Sequence, residues 1–256
     1  MLRRTLPVVL MFLLVVPAAP AQHRAPGGAK LLLLSGGQRD HHAYRRQAQL
    51  LQKLLEDSKQ FEVTLCEDAA LLETPALAKY DLIVATADRR DPEHRLTEGQ
   101  QRALLHFVAS GKGFFSLHAF CCADKTWVPE MRDLLGGVLA HFGTPNTKVT
   151  VAKFPLKITD PGHPITCGVT DFDHEDELYY QLQTRGELKP LVVATYQGAD
   201  WPELWTREYG KGKVCVSVFG HCSMGAKAKD PLESPPFQRL VLQGIAWVAG
   251  RELPSH

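Results

Sequence analysis

Three continuous apolar runs and one alternating run, separated by stretches of helical periodicity, constrain this chain more than any other feature. Leu31 to Leu34 run into Ser35-Gly36-Gly37, Phe61 to Leu65 alternate, Leu82 to Ala85 follow Asp81, and Gly113 to Leu117 lead into His118. A strand that is apolar throughout has both faces covered, as in parallel sheets. Between the runs, Leu50, Leu51, Leu54 and Leu55 sit at helical spacing within residues 43–58. Thr97-Glu98-Gly99-Gln100 reads as a capping box opening a second helix, with Leu104, Leu105 and Val108 as its stripe. Strands alternating with helices predict βαβ units and an α/β, doubly wound parallel sheet. Ligands of such sheets bind beyond the carboxyl ends of the strands. The loops Gly36 to His42, Ala87 to His94 and His118 to Trp127 therefore share one rim.

The second half is richer in strands. Residues 148–154, 191–195, 204–207 and 214–219 carry the pattern, and an apolar-periodic helix closes the chain from about Pro236 to Val248. No linker separates the halves, so residues 30–250 read as one domain with an additional β-rich region. Eleven Phe and four Trp among 256 residues, at 45% hydrophobic content, supply a core and exclude wholesale disorder. A formal charge of +1 offers no electrostatic footprint for nucleic acid.

Residues 1–21 read as a secretory signal peptide. Arg3 and Arg4 form the positive end, Leu6 to Val16 the apolar run, and Ala19-Pro20-Ala21 the cleavage pattern. The run is shorter than the roughly 20 residues that span a bilayer, although an uncleaved anchor or a buried strand is the plainer alternative. Cleavage there removes two of 29 basic residues and none of 28 acidic ones, taking the formal charge from +1 to −1. Residues 22–29 read as a leader, and the mature chain is expected outside the cytoplasm, periplasmic or extracellular, with no membrane span. That compartment permits disulfides. Cys66 and Cys215 read as buried small hydrophobes; a disulfide joining the Cys121-Cys122 and Cys222 regions stays open.

Phosphate-binding loops, the serine-hydrolase elbow, H-E-x-x-H and closely spaced His/Cys metal patterns are all absent. What remains is histidine at strand ends: His41-His42 after the first strand, His118 after the fourth, and His221 after the last. Such histidines can act as acid, base or metal ligand, or simply hydrogen-bond loop backbone. The acidic stretch Asp171 to Tyr180 places carboxylates beside aromatics, which suits sugar hydroxyls and ring faces; for most of its acids a solvated turn leading into a strand is the simpler reading. Glu177 is the acid best placed to point inward. Asp160 to Ile165 reads as a structural turn, and Trp201 to Trp205 as either aromatic surface or core.

In order and spacing these motifs resemble the ThuA-like family, named for trehalose utilisation. The matching pieces are Leu34 to His42, Leu117-His118-Ala119, Gly136 to His141, Asp160 to Gly168, Phe172 to Tyr180, and Trp205 to His221, covering about residues 30–250. The resemblance implies a flavodoxin-like fold akin to class I glutamine amidotransferases. It also implies roles in disaccharide or keto-sugar metabolism for His42, His118, His141, Asp176, Glu177, Tyr179 and His221. Of these, His118, His221 and Glu177 are the catalytic candidates, and His42, His141, Asp176 and Tyr179 the substrate-binding ones. A divalent metal held by histidines is compatible with that set. His118 stands where the amidotransferases carry their nucleophilic cysteine, and Ser223 where an acid is usual after the late histidine, so glutamine hydrolysis is not expected.

Two function classes follow. One is an exported enzyme acting on a sugar or sugar-derived small molecule, a hydrolase or isomerase working by His/Glu acid–base or metal-assisted chemistry. The other is a non-catalytic carbohydrate-binding module of an exported degradation system. A cysteine-dependent amidase using Cys121 or Cys122 with His221 is a third and weaker reading.

Overall fold

A computed structural model describes residues 27–37, 42–86, 88–143, 146–224 and 230–251. The segment read as a signal peptide and most of the segment read as a leader lie outside the described residues, as does His41. The strands β1 (Ala29–Leu34), β2 (Phe61–Cys66), β3 (Leu82–Ala85), β4 (Gly113–Leu117) and β11 (Gly212–Ser217) lie parallel in the order β2-β1-β3-β4-β11. This is the flavodoxin-type arrangement, whose switch point falls between the first and third strands. Ala29 pairs with Phe61, so the first strand starts within the segment read as leader.

Leu31 to Leu34 have no exposed surface because both faces of β1 are covered. Leu32, Leu34, Ile83 and Phe114 pack with Leu104, Leu105 and Val108 of α2 (Glu98–Ala109) and Met131, Leu134 and Leu135 of α3 (Pro129–Leu135). Leu31, Leu33, Val84 and Phe115 face the other way, onto Leu51 and Leu55 of α1 (Tyr44–Asp57) and Leu240, Val241 and Ile245 of α4 (Pro235–Val248). The capping box is present in full: Thr97 Oγ1 accepts from Gln100 N, and Gln100 Oε1 accepts from Thr97 N. The sequence reading has no counterpart for α3. Its seven residues are too few for a periodicity signal, but Pro129 at its start and Gly136 at its end mark it. Gly136 adopts φ +76, a left-handed cap that favours glycine.

Beyond β11 the sheet continues antiparallel through β10 (Ala199–Tyr209), β9 (Pro190–Tyr196), β6 (Lys148–Ile158) and β7 (Phe172–Tyr180), making nine strands, while the short β5 (Gly137–Val138) and β8 (Gln183–Thr184) pair separately. The β-rich region is thus an extension of the same sheet. Here the turn reading of the acidic stretch needs correction, because Phe172 to Tyr180 form one strand in register with Leu156 to Lys148. The carboxylates alternate instead of clustering in solvent. Asp173 and Glu175 are exposed, His174 and Asp176 are buried, and Glu177 is half-buried. Asp160 to Ile165 is a turn, as expected, with Asp160 Oδ1 accepting from Gly162 N. Trp205 is core, and its indole N–H donates to Leu135 O. Among the described residues no helix is long and apolar enough to cross a membrane.

Replacing Thr97 by Ala removes a reciprocal cap and is expected to cost about 1 kcal/mol. The midpoint of urea denaturation would fall with an unchanged slope; an unaltered midpoint would mean that the cap contributes nothing.

Candidate functional site

Four side chains meet beyond the carboxyl ends of β1, β4 and β11. His42 precedes α1, His118 follows β4 directly, His221 follows β11, and Glu177 reaches over from β7. One donor atom from each lies within 4.8 Å of every other.

Local backbone chemistry aims each of them. His118 holds φ +43, a left-handed conformation unusual for a residue with a side chain, and worth about 1–2 kcal/mol of strain. Its Nδ1 lies 2.8 Å from Val218 O. A carbonyl only accepts, so Nδ1 carries the hydrogen there, and Nε2 is the nitrogen that faces the centre. The loop bearing His221 is held by Asp176. One of its carboxylate oxygens accepts from Gly220 N at 2.6 Å, the other from His221 N at 3.0 Å and from Glu177 N at 2.7 Å. The His174 ring lies 3.2 Å away. Gly220 has φ +118, and a Cβ there would stand 2.9 Å from the Phe237 ring, so glycine is required. The start of α1 is tied to the same loop: Gln47 Nε2 donates to Gly220 O and Ala43 N to Cys222 O.

The donor atoms form a tight triangle. His118 Nε2 to His221 Nδ1 is 3.1 Å, His118 Nε2 to Glu177 Oε2 is 3.3 Å, and His221 Nδ1 to Glu177 Oε2 is 3.1 Å. Ligands each about 2.1 Å from one metal ion stand about 3.0 Å apart at right angles and about 3.4 Å apart in a tetrahedron. The triangle has the dimensions of one face of a coordination shell. His42 completes the set: both ring nitrogens are buried and neither has a hydrogen-bond partner. An imidazole buried that way is costly unless something else uses its lone pair. Three histidines with one carboxylate suit a divalent first-row metal, and the carbonyl behind His118 is the kind of outer contact that orients a histidine ligand.

Burial, with His118 and His221 nearby, pushes the His42 pKa down to about 3, so the ring is neutral and able to ligate. Burial alone would raise Glu177, but hydrogen bonds and charge from His118 and His221 hold it well below the usual carboxylate range. Burial opposes protonation of His221, and the Glu177 carboxylate overcomes it, leaving the ring raised.

A cavity of about 380 Å³ opens over this centre, lined by His42, Glu177, His221, Tyr179, Arg90 and Val149 among others. Tyr179 is buried, stacks on His118 and places its hydroxyl 2.9 Å from Nε2. Burial first, then the charge of Cys122 and Glu177, raises its pKa well above the phenolic value, so it keeps its proton. His141 is exposed at the mouth. Asp176, read from the sequence as a substrate ligand, has both oxygens engaged by backbone N–H groups and does not line the cavity. Its carboxylate ties the loop bearing His221 to β7. Arg90 carries no motif of its own in the sequence; the charged run Asp88-Arg89-Arg90-Asp91 shortly after β3 is its one mark there. Its guanidinium is locked by Asp88, with Nε to Oδ1 at 3.0 Å and Nη2 to Oδ2 at 2.6 Å.

All six cysteines are free thiols. Cys222 donates to Asp230 Oδ2, and Cys122 points at the Tyr179 hydroxyl. Burial raises the Cys121 thiol well above its usual range, which argues against Cys121 as a nucleophile.

The sequence profile of the ThuA family, described as trehalose utilisation, matches residues 30–248. A comparison with curated protein sequences finds no match. Among solved structures, the chain is similar to a ThuA-like protein from Parabacteroides merdae, with a TM-score of 0.75 and 22% identity over 90% of this chain and 93% of that one. A second ThuA-like protein, from Bacteroides uniformis, gives a TM-score of 0.66 and 16% identity, covering 90% of this chain and 95% of that one. The fold also resembles part of a β-galactosidase from Bacillus circulans sp. alkalophilus, with a TM-score of 0.60 and 11% identity over 88% of this chain but 32% of that one. At these identities the likeness speaks to fold alone.

In metal-free protein, the depressed His42 pKa links folding to pH. Its stabilising contribution is complete above the unfolded value near 6.5 and is lost as pH falls from there toward about 3. His42→Gln is therefore expected to flatten that part of the stability profile, followed by chemical denaturation at stepwise lower pH. A variant with the same acid limb as the parent would show that His42 is not held neutral by burial.

Proposed function

The chain belongs to the ThuA family of trehalose-utilisation proteins, and on that premise we propose that it is an exported, metal-dependent enzyme acting on a sugar or sugar-derived carbonyl compound. The observation that carries this reading is the close triangle of potential ligand atoms on His118, His221 and Glu177, with unpartnered His42 beside it, under an open cavity. His42, His118, His221 and Glu177 would hold the ion. When bound, a divalent metal polarises a carbonyl or hydroxyl oxygen as a Lewis acid.

The chain's own groups supply the rest. Val218 O fixes the His118 tautomer and Asp176 fixes the His221 loop, so the donors are preorganised. Tyr179 carries a proton beside the centre and is placed to donate it, or a hydrogen bond, to a substrate oxygen. Arg90, held rigid by Asp88, offers its remaining N–H groups to hydroxyls, and Val149 gives an apolar wall for a ring's C–H face. His141 is positioned at the entrance to meet the outer end of the ligand. Export rests on the positive, apolar and small-residue segments of residues 1–21.

The decisive experiment is a screen of disaccharides and their 3-keto forms with metal-loaded protein. Turnover is expected, with about one metal per chain. It should be abolished by chelator and reduced at least about 100-fold in Glu177→Gln. Turnover indifferent to both chelator and Glu177→Gln would overturn the metal reading. Sugar binding without turnover, retained in His118→Ala, would establish a carbohydrate-binding module instead. Export has its own check: full-length protein expressed in a Gram-negative host should be recovered from the periplasm with Gln22 as its N-terminus. Intact Met1 in the cytosolic fraction would sink it.

A further inference from the structure

A second cavity of about 370 Å³ adjoins the first and shares Arg90 and His141 with it. Its other charged lining residues are Arg95, Lys125 and Asp124. The lining therefore holds three permanent cations and one carboxylate. That carboxylate is already used: Asp124 Oδ1 accepts from Thr126 N and Thr126 Oγ1, and Oδ2 pairs with Arg95 Nη2 at 3.1 Å. Arg95 is braced further by donating to Arg90 O, while its Nε is buried with no partner. Lys125 is exposed and belongs to no ion pair among the described residues. Two guanidiniums, Arg90 braced by Asp88 and Arg95 by Asp124, present rigid donors around one small cavity, and Lys125 adds the one positive charge with no carboxylate paired to it among the described residues; rigid donors beside a net positive charge are the chemistry that recognises carboxylate or phosphate oxygens.

We propose that this second cavity is an anion-recognising subsite, so that the ligand carries a carboxylate or phosphate group next to the part that reaches the four-residue centre. This rests on the reading that the first cavity takes a sugar, and it narrows the substrate class to acidic sugars: sugar acids, acidic disaccharides or phosphorylated sugars. Arg90 touches both cavities and would bridge the neutral and anionic parts. The preference should follow from contacts on this side alone, because neither Arg95 nor Lys125 lines the cavity over the metal ligands.

The test is calorimetric titration of the full chain with trehalose, an acidic disaccharide with one uronic unit, a phosphorylated disaccharide, and inorganic phosphate. It is run with metal and again after chelation, which removes direct anion–metal contacts. An anionic probe is expected to bind at least about tenfold tighter than trehalose, consistent with one charge-assisted hydrogen bond. Lys125→Glu, at an exposed position where folding is not at stake, should erase that advantage and leave trehalose binding unchanged. Whichever of the carboxylate and phosphate probes gains more names the source of the anion. Equal affinity for neutral and anionic probes, or an advantage that persists in Lys125→Glu, would overturn the subsite. Neutral sugars turned over with no gain from acidic ones would sink the subsite and keep the enzyme; anionic preference with no turnover of any sugar would do the reverse.

Discussion

The Asp176 carboxylate holds together parts of the chain that the sheet alone would leave apart. It sits on the edge strand β7, five places from β4 in the sheet order, yet accepts hydrogen bonds from Gly220 and His221 just past β11. Those contacts bring the β6–β7 hairpin over the carboxyl ends of the parallel strands. Without them Glu177 and Tyr179 would have no reason to face His118. A buried carboxylate is tolerable only when its lone pairs are taken, and here backbone N–H groups take them. The same bonds that satisfy the charge set the angle between hairpin and sheet.

The centre is assembled at a local cost. His118 is in a left-handed conformation, and His42 is buried with both nitrogens unpartnered. Each departure is worth on the order of 1–3 kcal/mol. The surroundings can carry it because the apolar strands beneath have no exposed surface on either face. A rigid sheet end, a glycine at Gly220 that nothing larger could replace, and a clamp from Gln47 leave the histidines little freedom. That is a preorganised donor set, and strain of this kind is characteristic of sites that bind something.

Much of the fold was legible in the chain. Leu31 to Leu34 announced a strand covered on both sides, and Thr97 to Gln100 announced a capped helix, because burial and capping each leave a mark within a few residues. The histidines were legible for the same reason, standing directly after strands whose ends must share a rim. What escaped was of two kinds. The helix α3 was too short for periodicity. The strand character of residues 172–176 was masked by their acids, since an edge strand may expose one face of charge while burying the other. Arg90 was passed over because a charged loop looks solvated until a neighbour such as Asp88 is seen to lock it.

Taken alone, the sequence determined the parallel sheet, the positions of its strand-end histidines and the family pattern, because each depends on residues close together along the chain. Only the tertiary structure decided that His42, His118, His221 and Glu177 bring their side-chain nitrogens and oxygens together, that Asp176 serves backbone, and that a cationic cavity lies alongside. The contacts that build the centre join residues far apart in the chain, Asp176 to Gly220, His118 to His221 and His42 to His221. No local pattern encodes such contacts, because they are set by how a twisted sheet returns its edge strand to its own carboxyl ends.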